Sequence, residues 1–200
     1  MTIDVIAFDL GGVLFAEGTS AFISTFPAAD QERVAGILKS PFSKDLRRGK
    51  VDEDEFWRSV QGDLPSGWAP QAFRDAWYDA YTVDEGLFEL VKRLHGADQR
   101  IVVFSGNIRT RVEHLDRKYA FRRYFADEIY SYEEGFTKPD PGFVEVLLDR
   151  CGVAPERIAY IDDKQSALAP ALARGVKGIL YRNGQADTLT SELATLGVPL

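Results

Sequence analysis

The 200 residues carry 24 Lys and Arg against 31 Asp and Glu, a net charge of -7, with 45% hydrophobic and 28% charged residues. That length admits one large domain or a core with an insert, and the acidic balance argues against a nucleic-acid or anionic-membrane surface. No stretch approaches the roughly 20 apolar residues of a membrane span. Asp4 stands where a signal peptide would be basic, and the single Cys151 excludes an internal disulfide, so the expected address is the cytoplasm.

The chain opens on a short apolar run, Val5–Phe8, that reads as a fully buried strand and ends on Asp9, with Gly11 and Gly12 just behind. No further strand signal appears until residue 101, a gap too long for one crossover. Helices are expected there over 20–26, 30–39, 52–60 and 70–80, with Asp52 as N-cap and Glu55 three residues later. Turn residues break the pattern at Ser40-Pro41, Arg48-Gly49 and Pro65-Ser66-Gly67. Trp57, Trp68 and Trp77 all fall in this segment and read as its small core. A crossover helix over 84–94 follows.

From there strands and helices alternate: strands over 101–104, 128–130, 158–161 and 178–181, and helices over 109–119, 141–151, 166–174 and 188–196. Such alternation specifies a Rossmann-like α/β core around a parallel sheet. With right-handed crossovers and the fourth strand placed beside the first, the order is 5-4-1-2-3. The expected division is a core of residues 1–15 and 84–200 with a helical insert over 16–83. Cys151 lies in an apolar helical stretch with no nearby histidine and reads as core.

In an open parallel sheet the carboxyl ends of the strands face the ligand crevice. Four groups are placed that way. Asp9 ends the first strand. Ser105-Gly106-Asn107 ends the second, where a hydroxyl and nearby amides can meet an anion, although a serine there also serves as an ordinary turn residue. Lys138 is held in a loop by Pro139, a position at which most lysines are simply solvated. Asp162-Asp163 ends the fourth strand, and two adjacent carboxylates repel unless a cation lies between them. A nucleophilic acid, a hydroxyl, a lysine and a carboxylate pair together suit phosphoryl transfer.

These residues resemble the four motifs of the haloacid dehalogenase superfamily, in order and with the expected spacing over nearly the whole chain. Phe8-Asp9-Leu10-Gly11-Gly12-Val13-Leu14 looks like the first, Phe104-Ser105-Gly106-Asn107 the second, Lys138-Pro139 the third and Ile161-Asp162-Asp163 the fourth. The phrase Arg48-Gly49-Lys50-Val51-Asp52-Glu53-Asp54-Glu55-Phe56-Trp57 resembles cap helices of a bacterial branch that includes glucose-1-phosphate phosphatase. The resemblance implies a three-layer core with a small α-helical cap, a magnesium ion and an aspartyl-phosphate intermediate. It makes Asp9 the nucleophile and a metal ligand, and the Gly11 carbonyl and Asp163 further ligands, with Asp162 holding a metal-bound water. Ser105, Gly106, Asn107 and Lys138 would bind phosphate, and Lys138 would also contact the nucleophile.

Two departures stand out: Gly106 intervenes before Asn107, and Gly11 occupies the position where the typical phosphatase has an acid–base aspartate. The expectation is a magnesium-dependent phosphomonoester hydrolase for a small phosphorylated metabolite such as a sugar phosphate. A dehalogenase- or phosphonatase-like hydrolase and a non-catalytic phosphate-binding protein stay open beside it. Arg47, Arg48 and Lys50 are the insert cations best placed to reach a substrate, although solvated surface is the commoner role for each. The sequence is silent on oligomeric state.

Overall fold

In a computed structural model, which describes residues 2–199, five strands form one parallel sheet. They are β1 (Val5–Phe8), β2 (Arg100–Ser105), β3 (Asp127–Tyr130), β4 (Ile158–Asp162) and β5 (Lys177–Leu180), in the order β3-β2-β1-β4-β5. This is the expected order. β1 and β4 are buried at every residue, because a parallel sheet covered on both faces needs apolar side chains in both directions. The register sets Ala7 opposite Val102 on one side and Tyr160 on the other.

Alternation along the strands divides the core. Val5, Ala7, Val102, Phe104 and Tyr160 pack with Phe143 and Leu147 of α9 (Pro141–Cys151) and Leu168 of α10 (Gln165–Leu172). Ile6, Phe8, Ile101, Val103 and Ile161 join the opposite face. That face receives α6 (Glu85–Gly96), α7 (Arg109–Tyr119) and α11 (Ala186–Thr195). Leu87, Leu90, Val91 and Leu94 of α6 are buried at helical spacing. Cys151 is buried at the end of α9, and burial pushes its thiol up to about 11, as befits a packing residue.

Between β1 and α6 lie α1 (Gly18–Ser24), α2 (Ala28–Leu38), α3 (Pro41–Arg47), α4 (Glu53–Val60) and α5 (Pro70–Asp79). The break expected at Ser40-Pro41 is present, but the helix α3 that follows it is not foreseen in the sequence. Ser40 Oγ accepts from the Ser43 amide at 3.0 Å and Pro41 takes the first turn, so the residues that end α2 also start α3. The four-residue α8 (Ser131–Glu134) after β3 was not expected either. Trp57 and Trp77 are buried and Trp68 is partly so, and the aromatic cluster built on them is continuous with the α6/α7 face of the sheet.

The chain leaves and re-enters the core through one clasp. Phe15 pairs with Val83, the Ala16 amide donates to Thr82 O at 2.8 Å, and the Asp84 amide donates to Leu14 O at 2.9 Å. The Asp84 side chain caps α6 through the Leu87 amide and also accepts from the Gly184 amide at 2.7 Å and the Tyr181 hydroxyl at 2.8 Å. Among the described residues no helix is long and apolar enough to cross a membrane.

Candidate functional site

The strand ends open into a cavity of about 620 Å³, lined from below by Asp9, Gly11, Gly106, Lys138, Asp162 and Lys164. From above it is lined by Glu17, Thr19, Arg47, Arg48, Tyr81 and Arg111, among others. The volume falls in the range of small-molecule sites.

On the floor, the Asp9 amide still belongs to the sheet, donating to Ile161 O at 3.0 Å. Its Oδ1 accepts from the Leu10 amide at 2.8 Å and faces Lys138 Nζ at 3.2 Å. Lys138 Nζ donates to Asp162 Oδ2 at 2.7 Å and lies over the rings of Phe104 and Tyr160, 5.2 and 5.0 Å from their centres. Asp162 also accepts from the Tyr160 hydroxyl and from the Lys164 amide at 2.9 Å. Asp163 faces Lys164 Nζ at 3.2 Å. Each of Asp9, Asp162 and Asp163 brings a carboxylate oxygen within 4.8 Å of the others.

Burial pushes the Asp9 carboxyl up to about 6; Lys138 opposes the shift and Asp162 adds to it. Asp163 is raised for the same reasons, with Lys164 opposing. Burial works to raise Asp162 as well, but the Lys138 charge and the bonds from Lys138, Tyr160 and the Lys164 amide outweigh it and hold that carboxyl below its usual range. The three carboxylates form a hard-oxygen donor set of the kind magnesium takes, and the Gly11 carbonyl takes no hydrogen bond from the described residues.

Gly12 shapes this floor. Its φ is +90°, and a Cβ there would fall 2.4 Å from the Asp163 carboxyl, so only glycine fits. Gly11 has no positive φ. A Cβ at Gly11 would sit 3.4 Å from the Tyr81 ring, an ordinary contact.

Of the sequence-predicted residues, Asp9, Gly11, Gly106, Lys138 and Asp162 line the cavity, while Ser105 and Asn107 are buried beside it and Asp163, partly exposed, faces the lining Lys164. Ser105 is fully buried, and its hydroxyl helps to lower the Asp9 carboxyl. Asn107 is equally enclosed: Nδ2 donates to Ser105 Oγ at 3.3 Å and Oδ1 accepts from Arg111 Nε at 2.8 Å. It therefore reaches the site through Ser105 and Arg111. Of the three insert cations singled out, Arg47 and Arg48 line the cavity rather than standing as solvated surface, and Lys50 does not line it.

Sequence reasoning missed Lys164, Tyr81, Thr19 and Arg111. Lys164 carried a signal, a cation directly after two acids. Arg111 looked like one more charge in a polar helix, and its burial comes from Tyr81 and Trp77, whose rings it faces at 4.4 and 5.3 Å.

Fold and site thus define an α/β protein of Rossmann-like topology with an acidic, lysine-bridged centre at its strand ends. The chain belongs to the haloacid dehalogenase-like hydrolases, whose family profile matches residues 3–175. An uncharacterized protein of Dictyostelium discoideum is 30% identical, covering 96% of this chain and 96% of its own. The sesquiterpene phosphatase astK of Aspergillus oryzae is 26% identical over 94% of this chain and 90% of its own. The flavin mononucleotide hydrolase 1 of Arabidopsis thaliana is 26% identical over 77% of this chain and 61% of its own. Among solved structures, a HAD-like hydrolase of Porphyromonas gingivalis superposes with a TM-score of 0.78 at 24% identity, covering 96% of this chain and 98% of that one. A HAD family enzyme of Bacteroides thetaiotaomicron, in complex with magnesium and inorganic phosphate, superposes at 0.74 with 18% identity, covering 92% and 96%. Both share the fold.

Proposed function

We propose that this hydrolase is a magnesium-dependent phosphomonoesterase for a small phosphorylated metabolite, working through an aspartyl-phosphate intermediate, with residues 16–83 as a cap over the crevice. The observation that carries the reading is Lys138 Nζ set between Asp9 and Asp162, with Asp163 completing the carboxylate cluster. A lysine so placed holds the nucleophile in orientation and meets the phosphoryl charge. The flavin mononucleotide hydrolase and sesquiterpene phosphatase activities named for two relatives, and the magnesium and phosphate bound by a structural neighbour, support it.

In this reading Asp9 attacks phosphorus as the bond to the ester oxygen breaks, and water then cleaves the acyl phosphate to release inorganic phosphate. Ser105 and the Gly106 amide receive phosphoryl oxygens. Asp9, Asp163 and the Gly11 carbonyl would hold the metal directly and Asp162 through water; when bound, magnesium neutralises charge on the phosphoryl group. With glycine at position 11, the leaving alkoxide takes its proton from water or from the cap. Cap closure excludes bulk water and strengthens these interactions.

The test is a screen of phosphate esters with magnesium. Turnover that a chelator abolishes and magnesium restores is the expected result. Full activity after exhaustive chelation overturns the metal requirement, and no hydrolysis of any ester overturns the phosphatase reading.

A further inference from the structure

Every carboxylate of the cluster on the cavity floor has a lysine partner, whereas the roof carries arginines without an acid partner. Lys138 faces Asp9 and Asp162, Lys164 faces Asp163, and at the rim Arg48 pairs with Asp45 at 3.6 Å. Arg47, at the end of α3, and Arg111, in the first turns of α7, line the same cavity. Among the described residues neither has a carboxylate within ion-pair distance.

Arg47 Nε is buried with no hydrogen-bond partner. Arg111, 3% exposed, gives Nε to Asn107 Oδ1 and Nη1 to the Tyr81 hydroxyl, each at 2.8 Å, and Nη2 meets no acceptor among the described residues. Desolvation, and after it the neighbouring Arg111 charge, holds the Arg47 guanidinium below its ordinary range. Glu17 is the acid on this side of the cavity, but its two oxygens accept from the Thr19 and Ser20 amides at 3.0 and 2.8 Å and cap α1.

The hydroxyls beside these arginines leave a further donor over. Thr19 Oγ1 accepts from Trp77 Nε1 at 3.2 Å, Tyr81 OH accepts from Arg111, and the two oxygens lie 2.6 Å apart. One hydrogen joins them, so the other is free to donate. Unused guanidinium donors and a spare hydroxyl hydrogen on one wall of a cavity make an anion-recognition surface.

We propose that Arg47 and Arg111 form a subsite for a second anionic group, so that the substrate is a phosphomonoester whose far end carries a carboxylate or a second phosphate. The phosphomonoester half rests on the reading of the floor given above; the subsite stands on the roof residues alone. Arg47 comes from the insert and Arg111 from the core, so a ligand between them ties the two together. A neutral-ended ester would leave the buried Arg47 Nε without a partner and neither guanidinium in contact with an acid.

The test compares kcat/KM for propyl phosphate, 3-(phosphonooxy)propanoate and propane-1,3-diyl bisphosphate. At least one of the doubly anionic esters is expected to exceed propyl phosphate by about tenfold or more, and which one does so tells carboxylate from phosphate. Arg47→Leu should reduce that ratio to about one, and Arg47→Lys should retain part of it. Arg47→Gln serves if circular dichroism finds the leucine variant unfolded. Equal values in the wild type, or a preference that survives loss of the Arg47 charge, overturn the proposal. Binding is read apart from turnover by thermal unfolding with succinate, which should raise Tm in the wild type more than in Arg47→Leu. If no ester turns over but that difference is seen, the phosphatase reading fails and the subsite stands; equal shifts overturn the subsite.

Discussion

The floor and the roof of the cavity solve opposite problems. Below, three carboxylates crowd into one place and two lysines reach in to offset them. Above, two arginines approach each other and no acid in ion-pair contact relieves them. Buried like charges are costly wherever they occur, and they mark the places where a protein leaves work for a ligand. The floor thus calls for a cation and the roof for an anion, and a phosphorylated substrate with a metal supplies both.

Asp9→Asn is the strongest way to break this contrast. Removing a nucleophile's charge is expected to cost turnover about 10⁴-fold or more, read by steady-state hydrolysis of p-nitrophenyl phosphate. Stability should move the other way. A carboxyl raised to about 6 destabilises the fold progressively as pH climbs from about 4. With chelator present at pH 7, Asn at this position should therefore raise Tm, and a lower Tm would show that the crowding on the floor carries no strain.

Gly49→Ala acts on the roof. Gly49 follows α3 with φ +67°, and a Cβ there would fall 2.2 Å from the backbone oxygen of Tyr132. A backbone clash plus a left-handed conformation should cost about 2–3 kcal/mol, measurable by urea unfolding. Chain movement here shifts Arg47, so a variant that stays folded should also lose discrimination among the esters.

Gly11→Asp joins the two halves. The backbone permits a side chain and Tyr81 leaves an ordinary contact for it. If the proton for the leaving group is limiting, propyl phosphate hydrolysis should rise about tenfold, well within the reach of general acid catalysis. Hydrolysis of p-nitrophenyl phosphate, whose phenolate leaves unprotonated, should change less. A folded variant no faster on either ester would place the donor elsewhere.

The smallest effect is expected at Asp84→Ala, behind the hinge. Loss of the α6 cap should cost about 1 kcal/mol at pH 7. Burial works to raise the Asp84 carboxyl, but the Gly184 and Leu87 amides, Tyr181 and Asn183 hold it below its usual value. The charged form's contribution is therefore complete above pH about 4 and fades as pH falls further. The Tm gap between wild type and variant should narrow over that acidic range.

The floor was legible because strand ends advertise themselves. A buried apolar run that stops at an acid fixes both a depth and a direction, and Asp9 and Asp162 needed nothing more to be brought together; Lys138, in a loop beyond β3, was legible only beside Pro139 and in company with them. The strand order was legible through the alternation of strands and helices. The roof depends on how helices pack in three dimensions, and sequence spacing does not encode that. Ser40-Pro41 looks the same whether the chain turns away or starts another helix, so the helix presenting Arg47 went unseen although Arg47 itself was singled out. Arg111 is distinguished from Arg109, two residues before it, only by what lies opposite. Asn107 shows the converse: its motif placed it at the phosphate, yet both ends of its amide are engaged by the protein.

The clasp at Phe15 and Val83 has a consequence for how such a molecule can change over generations. The chain enters and leaves the intervening segment on two neighbouring backbones, joined by the Ala16–Thr82 and Leu14–Asp84 hydrogen bonds. With the ends already side by side, the entropy of closing the loop grows only logarithmically with its length, about 0.6 kcal/mol for each doubling. Segments of very different size can therefore be spliced in at this point while the sheet and its strand ends keep their geometry. With residues 16–83 acting as the proposed cap, the chemistry would stay with the sheet while the insert's share of the cavity lining, Arg47 included, could be exchanged as one looped-out piece.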